Sequence, residues 1–304
     1  DDGAFWSNSI SSIYIPSSVE SIGKFAFRFN QLESIEIPSS VSSIAQEAFA
    51  DNPIKNIKIG SIIKSPEQWA KWGLGDNINI VLDNNISIVN KGSFSGVNIE
   101  SVVIPQGVKE IGSAAFEDNL LRSIIIPDSV YSIGQSAFEN NKLEEVDLPQ
   151  GIDEIEDLVF SSNKLKSIYM PSGITSIGEL AFSYNELIEV QLPDNLSIIK
   201  DGAFWQNNLS NIKIPDNVTE VGNYAFKYNQ LETIEVPSSV SLIGNSAFEE
   251  NAIREVNIGD GVSTIGDYAF AHNQLTNVYI PNSVNRIGIG AFWGNPLLKS
   301  ISVL

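Results

Sequence analysis

The chain has 304 residues, with 18 Lys and Arg against 37 Asp and Glu, a formal net charge of −19. This excess of acid disfavours nucleic-acid backbones and anionic membrane surfaces as partners. With no cysteine and one histidine, disulfides and thiolate sites are excluded, and His-based metal or general-base chemistry starts without material.

One unit recurs along the whole chain. A phenylalanine, usually after Ala or another small residue, stands at Phe5, Phe27, Phe49, Phe94, Phe116, Phe138, Phe160, Phe182, Phe204, Phe226, Phe248, Phe270 and Phe292. Every step is 22 residues except one of 45, where Trp72 is placed to supply the missing aromatic, making 14 positions. Three residues after the aromatic stands Asn in 12 of them; Gly75 and Val97 are the exceptions. Aliphatics follow at fixed offsets, and Pro closes the first apolar stretch in most units, as at Pro38, Pro105, Pro127 and Pro237. A fixed period of this length marks a stack of supersecondary units rather than a compact fold.

Within a unit the elements follow in order. Ile35-Glu36-Ile37 and Ile234-Glu235-Val236 alternate apolar and polar, which predicts a short strand with one face inward. Proline cannot donate to a ladder, so the strand ends there. Val41 and Ile44, in a Ser-rich stretch, predict a turn and a second short extended piece. The glycine that often follows, as at Gly134 and Gly178, is read as permitting a sharp bend. The Ala-Phe segment is read as a helical or 3₁₀ turn that points Phe inward. The Asn column has amide donors and acceptors to satisfy turn backbone from one coil to the next. A single coil leaves both its apolar layers open, so stability must come from neighbours.

Residues 60–79 depart from the pattern. Gly60 replaces Pro, and Ser65-Pro66-Glu67-Gln68-Trp69-Ala70-Lys71-Trp72 replaces the Ile-Gly-x-x-Ala-Phe half. Ser65 as N-cap and Pro66 at the first helical position predict a short helix, with Trp72 in the Phe column. Asp83 then replaces Pro, and Gly96-Val97 replaces the polar-Asn step. This segment is either a specialised contact or a decayed repeat that still packs.

The unit Leu-x-x-Ile-x-Ile-Pro-x-x-Val-x-x-Ile-Gly-x-x-Ala-Phe-x-x-Asn, as in residues 121–141 and 231–251, resembles the BspA-like subclass of leucine-rich repeats. The resemblance implies an α/β solenoid: a right-handed superhelix of about 14 coils of 22 residues. A parallel sheet would line its concave face, with short strands and helical or 3₁₀ turns on the convex side. Residues 1–304 would form a single such domain. Because the chain opens in mid-pattern and shows no polar cap, it is expected to be a fragment of a larger protein. The resemblance further implies a bacterial cell-surface or secreted protein, used for adhesion to host proteins or other cells, with no catalytic residues to carry over and no cofactor.

Candidate contact residues lie where the strands face outward. Val81, Val103 and Ile125 are apolar in a column that is otherwise mostly polar; Ser101 and Ser123 flank them, Glu145 and Asp147 follow one coil later, and Tyr169 continues the column. An apolar stripe with a polar rim suits a protein partner, although β-branched residues favour strands in any case. A secondary aromatic stripe, Tyr184, Trp205 and Tyr228, would anchor a protein or, more weakly, stack on carbohydrate; the alternative is that these rings cover the edges of the core.

Seven acids between Glu144 and Asp157 are read as a solvated patch, and His272, with no second His, as neither ligand nor base, so no metal site is assigned. The reading is a non-catalytic interaction module, extracellular or at the cell surface, binding a host extracellular-matrix or cell-surface protein. It leaves nucleic acid and membrane insertion aside. A structural spacer is the alternative. A polysaccharide-active solenoid using Glu145 and Asp147 is a more distant one.

Overall fold

In a computed structural model, the structure describes residues 1–60 and 66–303. It is a parallel β-solenoid of about 13 turns. The chain forms two compact units, Asp1–Pro149 and Gln150–Leu304, each built from the same turn.

In the first unit the longer strands are Ser34–Ile37, Asn56–Ile59, Ile78–Leu82, Ile99–Val103, Ser123–Ile125 and Glu145–Asp147. The first four pair in parallel, Ile35 with Ile57 and Ile57 with Ile80, with one shift of register between Ile78 and Asn79, and Ser123–Ile125 pairs with Glu145–Asp147. In the second unit they are Ser167–Tyr169, Glu189–Gln191, Thr233–Val236, Glu255–Ile258, Asn277–Ile280 and Ser300–Val303. Alternation decides the faces: in Thr233–Val236, Ile234 and Val236 are buried while Thr233 and Glu235 are exposed. Proline ends the strand and opens a turn, in which the Val108 N–H donates to the Pro105 carbonyl and the Val240 N–H to Pro237. Where another residue stands in the proline slot, a further inter-turn bond forms, as from Gly60 N–H to Ile37 and from Asp83 N–H to Ile59. The second extended piece also pairs. In the second unit, seven two-residue strands from Glu154–Ile155 to Arg286–Ile287 form one parallel row.

The glycine after this piece serves close approach rather than bending. Its φ is not positive, but a Cβ on Gly134 would lie 2.5 Å from the Ser113 nitrogen of the preceding turn, and one on Gly222 2.5 Å from the Lys200 carbonyl carbon.

The Phe segment is a tight turn whose handedness reverses twice. Residues two before and two after Phe sit in the left-handed region: Ala114 (φ 54) and Asp118 (φ 55) about Phe116, Tyr224 (φ 59) and Tyr228 (φ 56) about Phe226. Each costs about 1 kcal/mol for a residue with a Cβ. The return is directional. Ala114, Phe116 and Asp118 donate their N–H groups to Gln135, Ala137 and Glu139 of the next turn at 2.8–3.0 Å. Left-handed residues also stop the turn from growing into a helix.

Inside, the Phe rings form stacked columns. Phe116 and Phe138 lie 5.5 Å apart at 10°, and Phe182 lies 5.6 Å from both Phe160 and Phe204. The Asn column brackets successive turns as expected. Asn207 Nδ2 donates to the carbonyls of Phe182 (2.8 Å) and Phe204 (3.2 Å), and its Oδ1 accepts the Leu187 N–H at 3.0 Å. Asn141 treats Phe116, Phe138 and Leu121 in the same way.

The irregular turn contains the expected helix, Pro66–Trp72; Ser65, its proposed N-cap, lies outside the described residues. Trp72 is buried, but the ring that reaches Phe94 is that of Trp69, at 5.4 Å, and Trp72 packs against Trp69 at 5.0 Å. The extra residue of this turn shifts the frame. Trp72 offers its carbonyl to Phe49 N–H, the slot that Ala48 fills for Phe27, so the aromatic one helical turn earlier points at the column. Trp69 Nε1 donates to the Ser93 carbonyl at 3.1 Å, which satisfies the buried indole.

Charge works against this packing. Burial raises the Glu156 carboxyl above the usual glutamate value of 4.5, with Glu154 and Asp157 adding to the shift. Burial raises Glu117 likewise, with Asp118 and Glu139 as further causes. A carboxyl raised on folding binds its proton more tightly in the native state, so its stabilising share is complete below 4.5 and is lost as pH rises through the folded value.

Two predictions follow from packing and one from charge. Phe182→Ala should cost about 3–5 kcal/mol in urea unfolding. Asn207→Ala, which orphans the Leu187 N–H and removes one of the two donors to the Phe182 carbonyl, should cost about 1–3 kcal/mol. Glu156→Gln should raise the melting temperature at pH 7, and the difference from the parent should vanish below pH 4.5 in a pH-resolved calorimetric series.

Candidate functional site

The outward residues of the longer strands in the first unit form two parallel rows. One row reads Glu36, Lys58, Val81, Val103, paired in that order; Ile125, paired with Asp147, occupies the same position on the following strands. The structure thus brings together the three apolar residues named from the sequence. Val81, Val103 and Ile125 are 42%, 57% and 75% exposed. At the ~4.8 Å spacing of strands they span about 10 Å.

The second row is polar and internally bonded. Ser101 Oγ donates to Asn79 Oδ1 at 2.7 Å, and Asn79 Nδ2 donates to Asn56 Oδ1 at 3.2 Å. Ser123 pairs with Glu145 on the next strand, so the expected rim of Ser101, Ser123, Glu145 and Asp147 borders the stripe.

One end of the stripe is closed by charge. Lys58 Nζ lies 2.7 Å from Glu36 and 3.4 Å from Asp83. The hydrogen bond to Glu36, more than that to Asp83, lifts the Lys58 ammonium above the usual lysine range. Asp83 stands in the proline slot, so the irregular repeat supplies both an added ladder bond and an anion beside the stripe. Among the described residues Glu145 and Asp147 make no ion pair, which leaves the other end free for a partner's donors.

Tyr169 lies in the second unit, exposed on Ser167–Tyr169 and paired with Gln191. The aromatic stripe is also there but is not continuous as read. Tyr184 and Trp205 touch, with centroids 5.1 Å apart, and Trp205 then meets Tyr224 at 6.2 Å rather than Tyr228. Tyr228 instead faces Lys227, whose Nζ is 5.1 Å from its ring and 5.6 Å from that of Tyr224. Tyr224 was missed because it precedes Phe by two residues, while the sequence column was followed only after Phe. The Trp205 ring is half-buried and its indole N–H has no partner among the described residues, so this residue covers the core edge as much as it faces solvent.

A cleft of about 370 Å³ opens beside the irregular turn, between Trp69, Asp76, Ile78, Ser95 and Asn98. It lies where Gly75 and Val97 replace the Asn bracket. Asn98 Nδ2 donates to Asp76 Oδ1 at 2.7 Å on its rim. The missing Asn residues were a legible signal for it, in a segment that the sequence left open as a specialised contact or a decayed repeat.

The acids between Glu144 and Asp157 divide between elements. Glu145 and Asp147 are on the longer strand of the first unit, while Asp153, Glu154, Glu156 and Asp157 surround the short strand Glu154–Ile155 of the second.

No curated protein matches the chain. Among solved structures, it is similar to a leucine-rich repeat protein from Bacteroides ovatus (24% identity, 93% of this chain and 82% of that one, TM-score 0.60). It is also similar to the pneumococcal vaccine antigen PcpA (20%, 90% and 72%, TM-score 0.61) and to a leucine-rich cell surface protein from Faecalibacterium prausnitzii (20%, 90% and 88%, TM-score 0.50). At these identities the likeness is one of fold. The model of the BspA type leucine rich repeat region matches residues 1–121, 109–232 and 219–303, in six copies. With the repeat matched over nearly its whole length, the chain belongs to the BspA-type leucine-rich repeat family.

Proposed function

We propose that the chain is a non-catalytic protein-interaction module of a secreted or cell-surface bacterial protein. It would bind a protein ligand through the longer-strand face of its first unit. The observation that carries this reading is the exposed row of Val81, Val103 and Ile125, set between the Lys58–Glu36 pair and the free carboxylates of Glu145 and Asp147. An apolar centre with a polar rim is the anatomy of a protein contact. Leucine-rich repeats generally bind proteins, and two of the similar structures are described as a vaccine antigen and a cell surface protein. Those descriptions support a surface location, and a ligand among host extracellular-matrix or cell-surface proteins is proposed with it. Tyr169 is proposed as a further contact from its exposure. The unbroken 22-residue step from Phe138 to Phe160 in the sequence supports reading 1–304 as one repeat domain.

The test is attachment to immobilised matrix proteins and to host cells, with Val103→Asp as the paired variant. Val103 is exposed, so its melting temperature should stay with that of the parent. Binding should fall by at least about tenfold, as for a central contact residue forced to bury a charge. Equal attachment by both proteins would favour a spacer role.

A further inference from the structure

We propose that Glu249, Glu250 and His272 form a binding site for a first-row transition dication such as Zn²⁺. The three residues each offer a ligand atom, and these atoms all lie within 4.8 Å of one another. The sequence reading set His272 aside because no second histidine accompanies it. The repeat supplies the missing partners from another residue type. Glu250 and His272 stand 22 residues apart, in the same slot two residues after Phe248 and Phe270. Stacking therefore places one above the other, and Glu249 is adjacent in the chain.

The backbone fixes this arrangement. Glu250 (φ 57) and His272 (φ 53) are both left-handed, and their N–H groups donate to Ala271 (3.1 Å) and Trp293 (2.7 Å) of the following turn. The imidazole is also held from outside. Its ring meets Trp293 edge-on, with centroids 4.7 Å apart at 67°. It occupies space that Gly294 leaves open, since a Cβ there would lie 2.7 Å from Nδ1. Among the described residues, neither ring nitrogen of His272 and neither oxygen of Glu250 has a hydrogen-bond partner, although His272 is half-buried. An oriented, unpartnered imidazole facing two carboxylates is what a dication would complete.

The donor set selects the ion. One imidazole nitrogen with two carboxylates suits Zn²⁺, Ni²⁺ or Co²⁺, whereas Ca²⁺ and Mg²⁺ favour all-oxygen sites. A competitor is built in: Lys227 Nζ lies 2.7 Å from Glu249 Oε2, so an incoming ion must share or displace that ammonium. Removing this cation should therefore strengthen metal binding, whereas removing a ligand should weaken it. The opposed effects separate a metal site from a merely acidic surface.

The experiment is isothermal titration of the chelator-treated chain with ZnCl₂, with CaCl₂ and MgCl₂ in parallel. One saturable Zn²⁺ site is expected, without Ca²⁺ or Mg²⁺ binding at the same concentrations. His272→Ala and Glu250→Gln should weaken it by more than about tenfold, at least as much as losing an outer partner of a metal ligand. Lys227→Met should tighten it. NiCl₂ should quench tryptophan fluorescence in the parent and much less in Trp293→Phe, whose ring lies beside the site. Melting temperatures of the apo proteins identify any variant that fails to fold, and Glu250→Gln, at an exposed position, keeps the test open if His272→Ala does so. An isotherm unchanged in both ligand variants, or no saturable Zn²⁺ binding in the parent, would overturn the proposal.

Discussion

Each turn of this chain contains backbone groups that only an adjacent turn can satisfy. The turn around Phe204 illustrates the constraint. Asn207 holds the carbonyls of its own turn and of the one before, while accepting the Leu187 N–H. Phe204 and Gln206 donate onward to Ala225 and Lys227. Burial of polar backbone is tolerable only when such bonds are complete, so the fold is a property of stacked neighbours. The Phe columns and the two rows of parallel strands are compatible with this requirement and add apolar burial, but they do not replace it.

The same constraint explains the strain. Left-handed φ at Leu158, Tyr224 or Tyr268 is costly for residues with large side chains. It persists because reversing the backbone twice aims alternate N–H groups along the stack. A right-handed helix would aim every one of them back along its own segment. Side chains two residues after Phe in successive turns are thereby placed above one another, and this is the geometry that brings Glu250 beneath His272.

Much of the turn is legible in the residues themselves. The strand shows in Ile234-Glu235-Val236, its end in Pro237, the core ring in Phe248 and the bracket in Asn251, because each of those roles demands a particular side chain. The left-handed positions leave no such mark: Ala114, Leu180, Tyr224 and Ser246 share a conformation without sharing chemistry. The exchange of Trp69 for Trp72 was hidden for a related reason, since a one-residue insertion changes frame inside the helix and aromatic character alone does not say which ring turns inward. Gly134 and Gly178, read as permitting a sharp bend, prove to be points of close approach. On the outward face, Val81, Val103 and Ile125 were visible because the stack converts a 22-residue period into adjacency. The cleft at Trp69 and the edge contact of Tyr224 depend on three-dimensional departures from that period.

Amide hydrogen exchange tests the central claim most directly. The N–H groups of Leu165, Leu187 and Leu209 lie outside any strand and donate to the side chains of Asn185, Asn207 and Asn229 in the following turn. They should exchange as slowly as the strand amides of Ile234 and Val256. Exchange at the rates of open loops at these three positions would show that the turns are not bracketed to one another, and would contradict the account.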